Sequence, residues 1–135
     1  MRERFRLGAV LGLTLVAAGP ALAQESLAAR ARKAQEAAKA NAASPQGRAW
    51  LKSHSAAVDQ LLIPVLNACL PKPEGDIPTV FSIYVRLSRK GSANEIVTEL
   101  DAELARCMTE AARAKPFPEA PRDDYWIQVN MAADL

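Results

Sequence analysis

The sequence predicts an α+β domain in which a three-stranded antiparallel sheet is covered on one face by two helices. A long segment with apolar residues at spacings of three and four precedes a segment in which they alternate at every second residue, and the same change of period recurs before the end of the chain. The resulting order is helix, strand, strand, helix, strand. Because a sheet with one apolar face needs helices to cover it, we expect a two-layer sandwich.

Residues 1–23 have the features of a secretory signal peptide. Three arginines lie within the first six residues, a short apolar run follows, and Ala21-Leu22-Ala23 is typical of a cleavage site. The apolar run is shorter than the roughly 20 residues that a membrane-spanning helix needs. We therefore expect an exported, periplasmic protein that is soluble and has no transmembrane anchor after cleavage.

The charge of the chain argues against nucleic acid as a partner. The predicted signal peptide holds three of the 17 basic residues and one of the 15 acidic ones, so the rest of the chain is formally neutral. Binding to nucleic acid requires a concentrated basic surface. We expect no such partner.

Residues 24–43 are rich in strong helix formers, but Leu27 is their only apolar residue larger than alanine. Such a segment can form a helix and has little to bury. We therefore interpret it as a solvated, Ala-rich helical arm or linker, and residues 44–135 as the folded domain.

The first helix of that domain is predicted over residues 46–70. Ser44-Pro45 has the form of a helix cap followed by proline at the first position, and Pro64 is expected to kink the helix or divide it. His54 lies along the apolar stripe, where a packing role is more common than a catalytic one. The other members of the stripe are Trp50, Val58, Leu61, Leu62, Val65, Leu66, Cys69 and Leu70.

Alternation with a period of two predicts the three strands. The first covers residues 81–87, a Lys90-Gly91 turn follows, and a shorter second strand covers residues 95–99. A helix over residues 101–114 is stopped by the prolines at 116 and 118. The last strand covers residues 125–131, where Tyr125, Ile127, Val129 and Met131 alternate with polar residues and a tryptophan.

Cys69 and Cys107 are expected to form a disulfide, because an even number of cysteines in an exported chain is typical of a bridge. A catalytic dithiol normally has its cysteines two residues apart, and this pair is 38 apart. With a single histidine the sequence offers no usual spacing for a metal site, so we expect neither a metal nor another cofactor.

The stretch from Phe81 to Ala133 resembles the C-terminal domain of TonB, the periplasmic energy transducer. The matching features are a strand, a turn at Gly91, a second strand, a helix, the Phe117-Pro118 pair and a closing strand. The resemblance covers about half of the predicted mature chain. Transducers of that family have a membrane anchor and a long proline-rich spacer, which we do not find here. The resemblance therefore implies a stand-alone member whose function is interaction.

The leading functional hypothesis is a periplasmic module that adds a partner strand to the edge of its sheet. Residues Tyr84, Arg86, Trp126 and Gln128 would lie on the sheet face away from the two helices, as a partner-binding surface. They could instead be a cross-strand aromatic pair with its neighbours, or be covered by the Ala-rich arm. The partner would be an envelope protein segment of unknown identity.

Two alternatives come from other classes of protein. A self-associating structural envelope protein would pair the same edge with its own copy as a homodimer. A small hydrolase or redox protein has less support, because the sequence contains no G-x-S-x-G, no H-E-x-x-H and no phosphate-binding glycine loop. We assign no catalytic residues and expect the protein not to be an enzyme.

Overall fold

The structure is a computed structural model that describes residues 25–70 and 80–132. These ranges contain three helices and three strands. The predicted signal peptide lies outside the described residues. In chain order the elements are α1 (Leu27–Ala43), α2 (Pro45–Cys69), β1 (Val80–Leu87), β2 (Ala93–Val97), α3 (Ala102–Ala112) and β3 (Tyr125–Ala132).

The three strands form one antiparallel sheet in the order β2-β1-β3. In the central strand, Val85 lies opposite Ile96 of β2 and Ile127 of β3. Successive side chains of a strand point to opposite faces. Odd-numbered residues of β1 and β3 therefore share one face, and even-numbered residues share the other.

Helices α2 and α3 cover the odd-numbered face, which confirms the predicted α+β sandwich. The side chains of Leu62 in α2, Ile83 in β1 and Met108 in α3 have no exposed surface, and they belong to one apolar cluster. Burial of this kind is the main favourable contribution to folding. Its other large members include Val58, Val65, Phe81, Val85, Leu87, Ile96, Leu104, Tyr125 and Ile127.

Helix α2 begins as predicted and ends within one residue of its predicted end. The Ser44 hydroxyl accepts a hydrogen bond from the Gly47 amide at 2.9 Å, and Pro45 occupies the first turn. The helix passes through Pro64 without interruption, so the predicted division does not occur. Pro64 is exposed, as is Gln60, whose carbonyl loses its helical donor. Water can therefore satisfy that carbonyl.

The β1–β2 hairpin is tighter than predicted, and β2 consequently begins earlier. The Ser88 amide donates to the Ser92 carbonyl at 3.0 Å, and Gly91 has φ 86°, a left-handed conformation that favours glycine. Ladder pairing therefore begins at Ala93. The second strand was predicted over residues 95–99, two residues too late. Pairing ends with Val97 opposite Tyr84, and the next residue, Thr98, bonds to the Ser82 carbonyl through its hydroxyl.

The predicted disulfide is present between Cys69 at the end of α2 and Cys107 in α3, with the Cα atoms 5.8 Å apart. It joins α2 and α3 above the odd-numbered face of the sheet. Phe117 of the Phe-Pro pair is buried in the same cluster, and its amide donates to the Gly91 carbonyl at 2.9 Å. The segment after α3 is thereby fixed to the hairpin turn.

Helix α1 packs against the even-numbered face, so the interpretation of residues 24–43 as a solvated arm is wrong for the helical part. Ala31, Ala34 and Ala38 are at most 3% exposed. They recur at spacings of three and four and form one stripe along the helix. Because alanine is small, the helix backbone can lie close to the sheet, and a helix with little apolar bulk still buries a face.

Candidate functional site

The predicted binding face is closed at its aromatic end. Tyr84 is 7% exposed and lies in a cluster with Ala31, Ala34 and Val97, and Trp126 packs half-buried against that cluster. The expectation of an open surface is therefore wrong for Tyr84, which the Ala-rich segment covers, whereas Trp126 is covered only in part. Burial also raises the pKa of the Tyr84 hydroxyl, and the nearby negative charge of Glu99 raises it further.

Arg86 lies at the same end of the face and joins charges from three elements. Its guanidinium pairs with Glu95 of β2 at 3.3 Å and with Asp124 at 2.8 Å, and it lies 6.0 Å from the centre of the Trp126 ring. Arg30 of α1 also pairs with Glu95. The network therefore attaches the first half of α1 to the sheet, so Arg86 has a structural role in addition to any partner contact.

The last turn of α1 is attached by Asn41, a residue that the sequence analysis did not identify. Asn41 is 8% exposed, its side-chain amide donates to the Trp126 carbonyl at 2.9 Å, and its side-chain oxygen accepts from Arg122. A buried amide must have partners, because an unpaired one is costly. Asn41 thus binds the backbone of β3 from the side of the sheet edge.

Helix α3 covers the outer edge of β2 at Ile96. The Ile96 amide donates to the Thr109 hydroxyl at 3.0 Å, and that hydroxyl lies 3.2 Å from the Ile96 carbonyl. The outward amide of Ile96 therefore bonds to α3, and the same hydroxyl lies against the Ile96 carbonyl, although its single proton is closer to the Ala105 carbonyl, at 2.7 Å. A further strand cannot pair with Ile96 unless α3 moves.

The outer edge of β3 is open beyond Trp126. In an antiparallel ladder, the amide and carbonyl of one residue point to the same side, and the next residue points to the other side. Since the Ile96 groups point away from β1, those of the opposite residue, Val85, point toward Ile127. The amides and carbonyls of Gln128 and Asn130 therefore point away from the sheet. No side chain in the described ranges bonds to them.

Polar side chains occupy the uncovered part of the even-numbered face. The Ser82 hydroxyl lies 2.8 Å from the Asn130 side-chain oxygen, and the Gln128 amide group donates to Ser82 at 3.2 Å. Gln128 is thus the one member of the predicted surface that is exposed. It lies on the open edge strand.

A groove of about 260 Å³ runs beside the open edge, between α2 and β3. Its floor contains Val58, which is buried, and the backbone of β3. Ser55 and Asp59 are exposed residues of α2 that line it. Asp59 has no ion-pair partner among the described residues.

A larger cavity, of about 480 Å³, lies outside β2 between α1 and α3. Part of its charged lining pairs internally, because Arg30 and Arg86 bind Glu95, and Arg106 binds Glu103 at 2.7 Å, whereas Glu110 and Arg113 line it without an ion pair to a described residue. A ligand charge at Glu95 or Glu103 would have to compete with these pairs.

His54 and the adjacent carboxylates Asp123 and Asp124 all have structural contacts. His54 packs against Trp50, with the ring centres 5.0 Å apart and the rings tilted by 47°. Asp123 accepts a hydrogen bond from the Arg89 amide at 2.9 Å, whereas Asp124 binds Arg86. Within residues 25–70 and 80–132, no group of three His, Cys, Asp or Glu residues is placed to hold a metal ion. No helix in these ranges is long and apolar enough to cross a bilayer.

Comparison with family models, curated proteins and solved structures finds no match to this chain. The resemblance to the TonB C-terminal domain therefore rests on the sequence pattern. The geometry of the sheet edge is independent of that resemblance.

Sequence reasoning missed three residues that shape the two sheet edges: Asn41 and Asp59 beside β3, and Thr109 beside β2. One signal was present, because Asn41 continues the spacing of Ala31, Ala34 and Ala38 and so had to face the sheet. The positions of Asp59 and Thr109 beside the strands depend on how their helices cross the sheet, which no local sequence pattern specifies.

Proposed function

We propose that the chain is an exported protein-interaction module of TonB C-terminal-like fold, and that it binds an extended segment of an envelope protein by adding it as a strand beside β3. Binding, rather than catalysis, is the activity proposed. The observation that carries this proposal is the difference between the sheet edges: Thr109 of α3 occupies the outward amide of Ile96 in the middle of β2, whereas the outward groups of Gln128 and Asn130 leave β3 open over two successive positions.

Strand addition uses backbone hydrogen bonds for affinity and side-chain pockets for specificity. The edge of β3 offers both, because the open amides and carbonyls lie next to the groove along α2. An unprotected edge of a long strand is also a liability for aggregation, so proteins usually cover it or use it. A partner strand bound at the edge of β3 would cover it in this way.

Two observations support the exported location. The first is the signal-like sequence of residues 1–23. The second is the Cys69–Cys107 disulfide, since such bonds persist mainly in oxidising compartments.

The test removes one edge amide while leaving the sheet intact. Asn130→Pro deletes an amide that points outward, so the β1–β3 ladder retains its bonds. Asn130→Ala is the matched control, because it removes the same side chain and keeps the amide. Affinity capture from the native cell envelope should recover a partner with wild type and Asn130→Ala but not with Asn130→Pro. Equal capture by all three, at equal stability, would refute strand addition at β3.

Self-association is the alternative use of the same edge, and light scattering tests it. A dimer that persists on dilution in wild type and dissociates in Asn130→Pro would assign the edge to a second copy. A monomer leaves the edge available to another protein.

A further inference from the structure

We infer that the segment accepted by β3 alternates small apolar and polar side chains, carries a basic side chain opposite Asp59, and pairs only beyond Trp126 because Asn41 stops the ladder there. This inference rests on the proposed strand addition and specifies the chemistry of the partner. It is drawn from the contacts around the edge.

Asn41 sets where pairing can start. Its side-chain amide occupies the Trp126 carbonyl, which is one of the outward groups of β3, and its own oxygen is held by Arg122. The stop is rigid because Asn41 is 8% exposed and both ends of its amide are bonded. An added strand can therefore pair with Gln128, Asn130 and the residues after them, a stretch of about five residues or roughly 17 Å.

The groove along α2 sets the size of the side chains on one face of the added strand. Leu51 and Val58 contribute its apolar part, together with Ile127 and Val129 of the edge strand. A volume of about 260 Å³ shared along the edge accommodates small side chains such as valine or alanine at alternate positions. Large aromatic side chains would have to displace α2.

The other face of the added strand meets polar groups. Ser82, which is half-buried, and the exposed Gln128 and Asn130 lie there, bonded to one another. Cross-strand neighbours on this face would be hydroxyl or amide side chains, which can join these hydrogen bonds. The preferred segment thus alternates apolar and polar residues in register with the groove.

Asp59 adds a charge requirement on the groove side. It is exposed, lines the groove, and forms no ion pair with a described residue, so a lysine or arginine in the segment can pair with it. This requirement also distinguishes a partner from a second copy. Strand β3 contains no lysine or arginine, so self-pairing through β3 would leave Asp59 without a cation.

The experiment titrates the full-length, oxidised protein with short synthetic peptides and follows backbone amide exchange by nuclear magnetic resonance. The main probe is acetyl-Thr-Val-Thr-Val-Thr-Lys-Thr-amide, used with its reversed sequence because either strand direction can pair. A second probe replaces the lysine by glutamate. A third has the same composition as the first with the valines adjacent, which destroys the alternation.

The lysine peptide should slow exchange at Gln128 and Asn130, leave the Trp126 amide unchanged, and bind about five-fold more tightly than the glutamate peptide. Asp59→Lys should abolish or reverse that preference. Glu36→Lys, an equal charge change at an exposed site on α1, should retain it. The peptide with adjacent valines should not protect the edge amides.

The failure of this inference and the failure of the proposed function give different results. Protection of Gln128 and Asn130 by lysine and glutamate peptides alike, or by the peptide with adjacent valines, would overturn the partner chemistry and leave strand addition standing. Peptide-induced protection of Trp126 would overturn the stop at Asn41. No protection of β3 by any peptide would refute both, and protection that grows with protein concentration alone would assign the edge to a second copy.

Discussion

Gly47→Ala is predicted to destabilise the protein, although alanine is the better helix former. Gly47 lies in the first turn of α2, where α1 ends and the chain turns into the next helix. A Cβ atom at this position would lie 1.7 Å from the Asn41 carbonyl oxygen and 2.7 Å from its carbon. Both are backbone atoms, so the end of α1 would have to move.

The magnitude follows from what that movement breaks. The Asn41 carbonyl accepts from the Ser44 hydroxyl at 2.8 Å, and the Asn41 side chain holds the Trp126 carbonyl at 2.9 Å. Loss of two such bonds amounts to about 1–3 kcal/mol, and overpacking adds about 1–3 kcal/mol. Alanine would recover up to about 1 kcal/mol of helix propensity. We expect a net loss of roughly 1–5 kcal/mol.

Urea unfolding followed by circular dichroism measures this difference in the free energy of unfolding. Ala49→Gly is the matched control, because Ala49 is exposed in the same helix and its replacement reports propensity without a clash. The control should lose about 1 kcal/mol or less. If α1 were a solvated arm, it would yield to the new methyl group, and Gly47→Ala would be neutral or stabilising. That result would refute the packing of α1 on the sheet.

Three further predictions concern the disulfide, the covered aromatic pair and alkaline pH. Replacing Cys69 and Cys107 together by alanine should lower the free energy of unfolding by about 4 kcal/mol, the chain-entropy value for this loop; a loss under about 1 kcal/mol would contradict a permanent bond. Trp126→Ala should lower stability by about 2 kcal/mol and retain partner capture once folded, and a selective loss of capture would restore Trp126 as a contact residue. Burial raises the pKa values of Tyr84 and Tyr125 above their ordinary 10.0, so the unfolded chain releases these protons first. Stability should therefore be insensitive to tyrosine ionisation below about pH 10 and fall above it, with a smaller fall in Tyr84→Phe; an equal fall in both proteins would contradict the burial of Tyr84.

The elements that could be predicted from the sequence are those whose apolar residues are large and regularly spaced. Helix α2 and strands β1 and β3 have such patterns, and each was predicted to within two residues of its ends. The Cys69–Cys107 bond was predictable because only two cysteines are present and the chain has a signal-like start. These are local or compositional properties, so no tertiary information was needed.

The layer formed by α1 was not predicted, because the usual criterion for burial is side-chain size. In Ala31, Ala34 and Ala38 the burial comes from close approach of two backbones, for which small residues are suited. The covered and open edges of the sheet also escaped prediction. They depend on the placement of Thr109 and Asn41 against particular backbone groups, which follows from helix positions and not from periodicity.

The central claim is that a partner binds at the outer edge of β3, and amide hydrogen exchange in the complex tests it most directly. The complex would be prepared with the protein captured from the native envelope. We predict that exchange at Gln128 and Asn130 becomes much slower in the complex, while exchange along β2 and α1 is unchanged. Protection confined to α1 or to the β2 edge, with Gln128 and Asn130 exchanging as in the free protein, would contradict the claim.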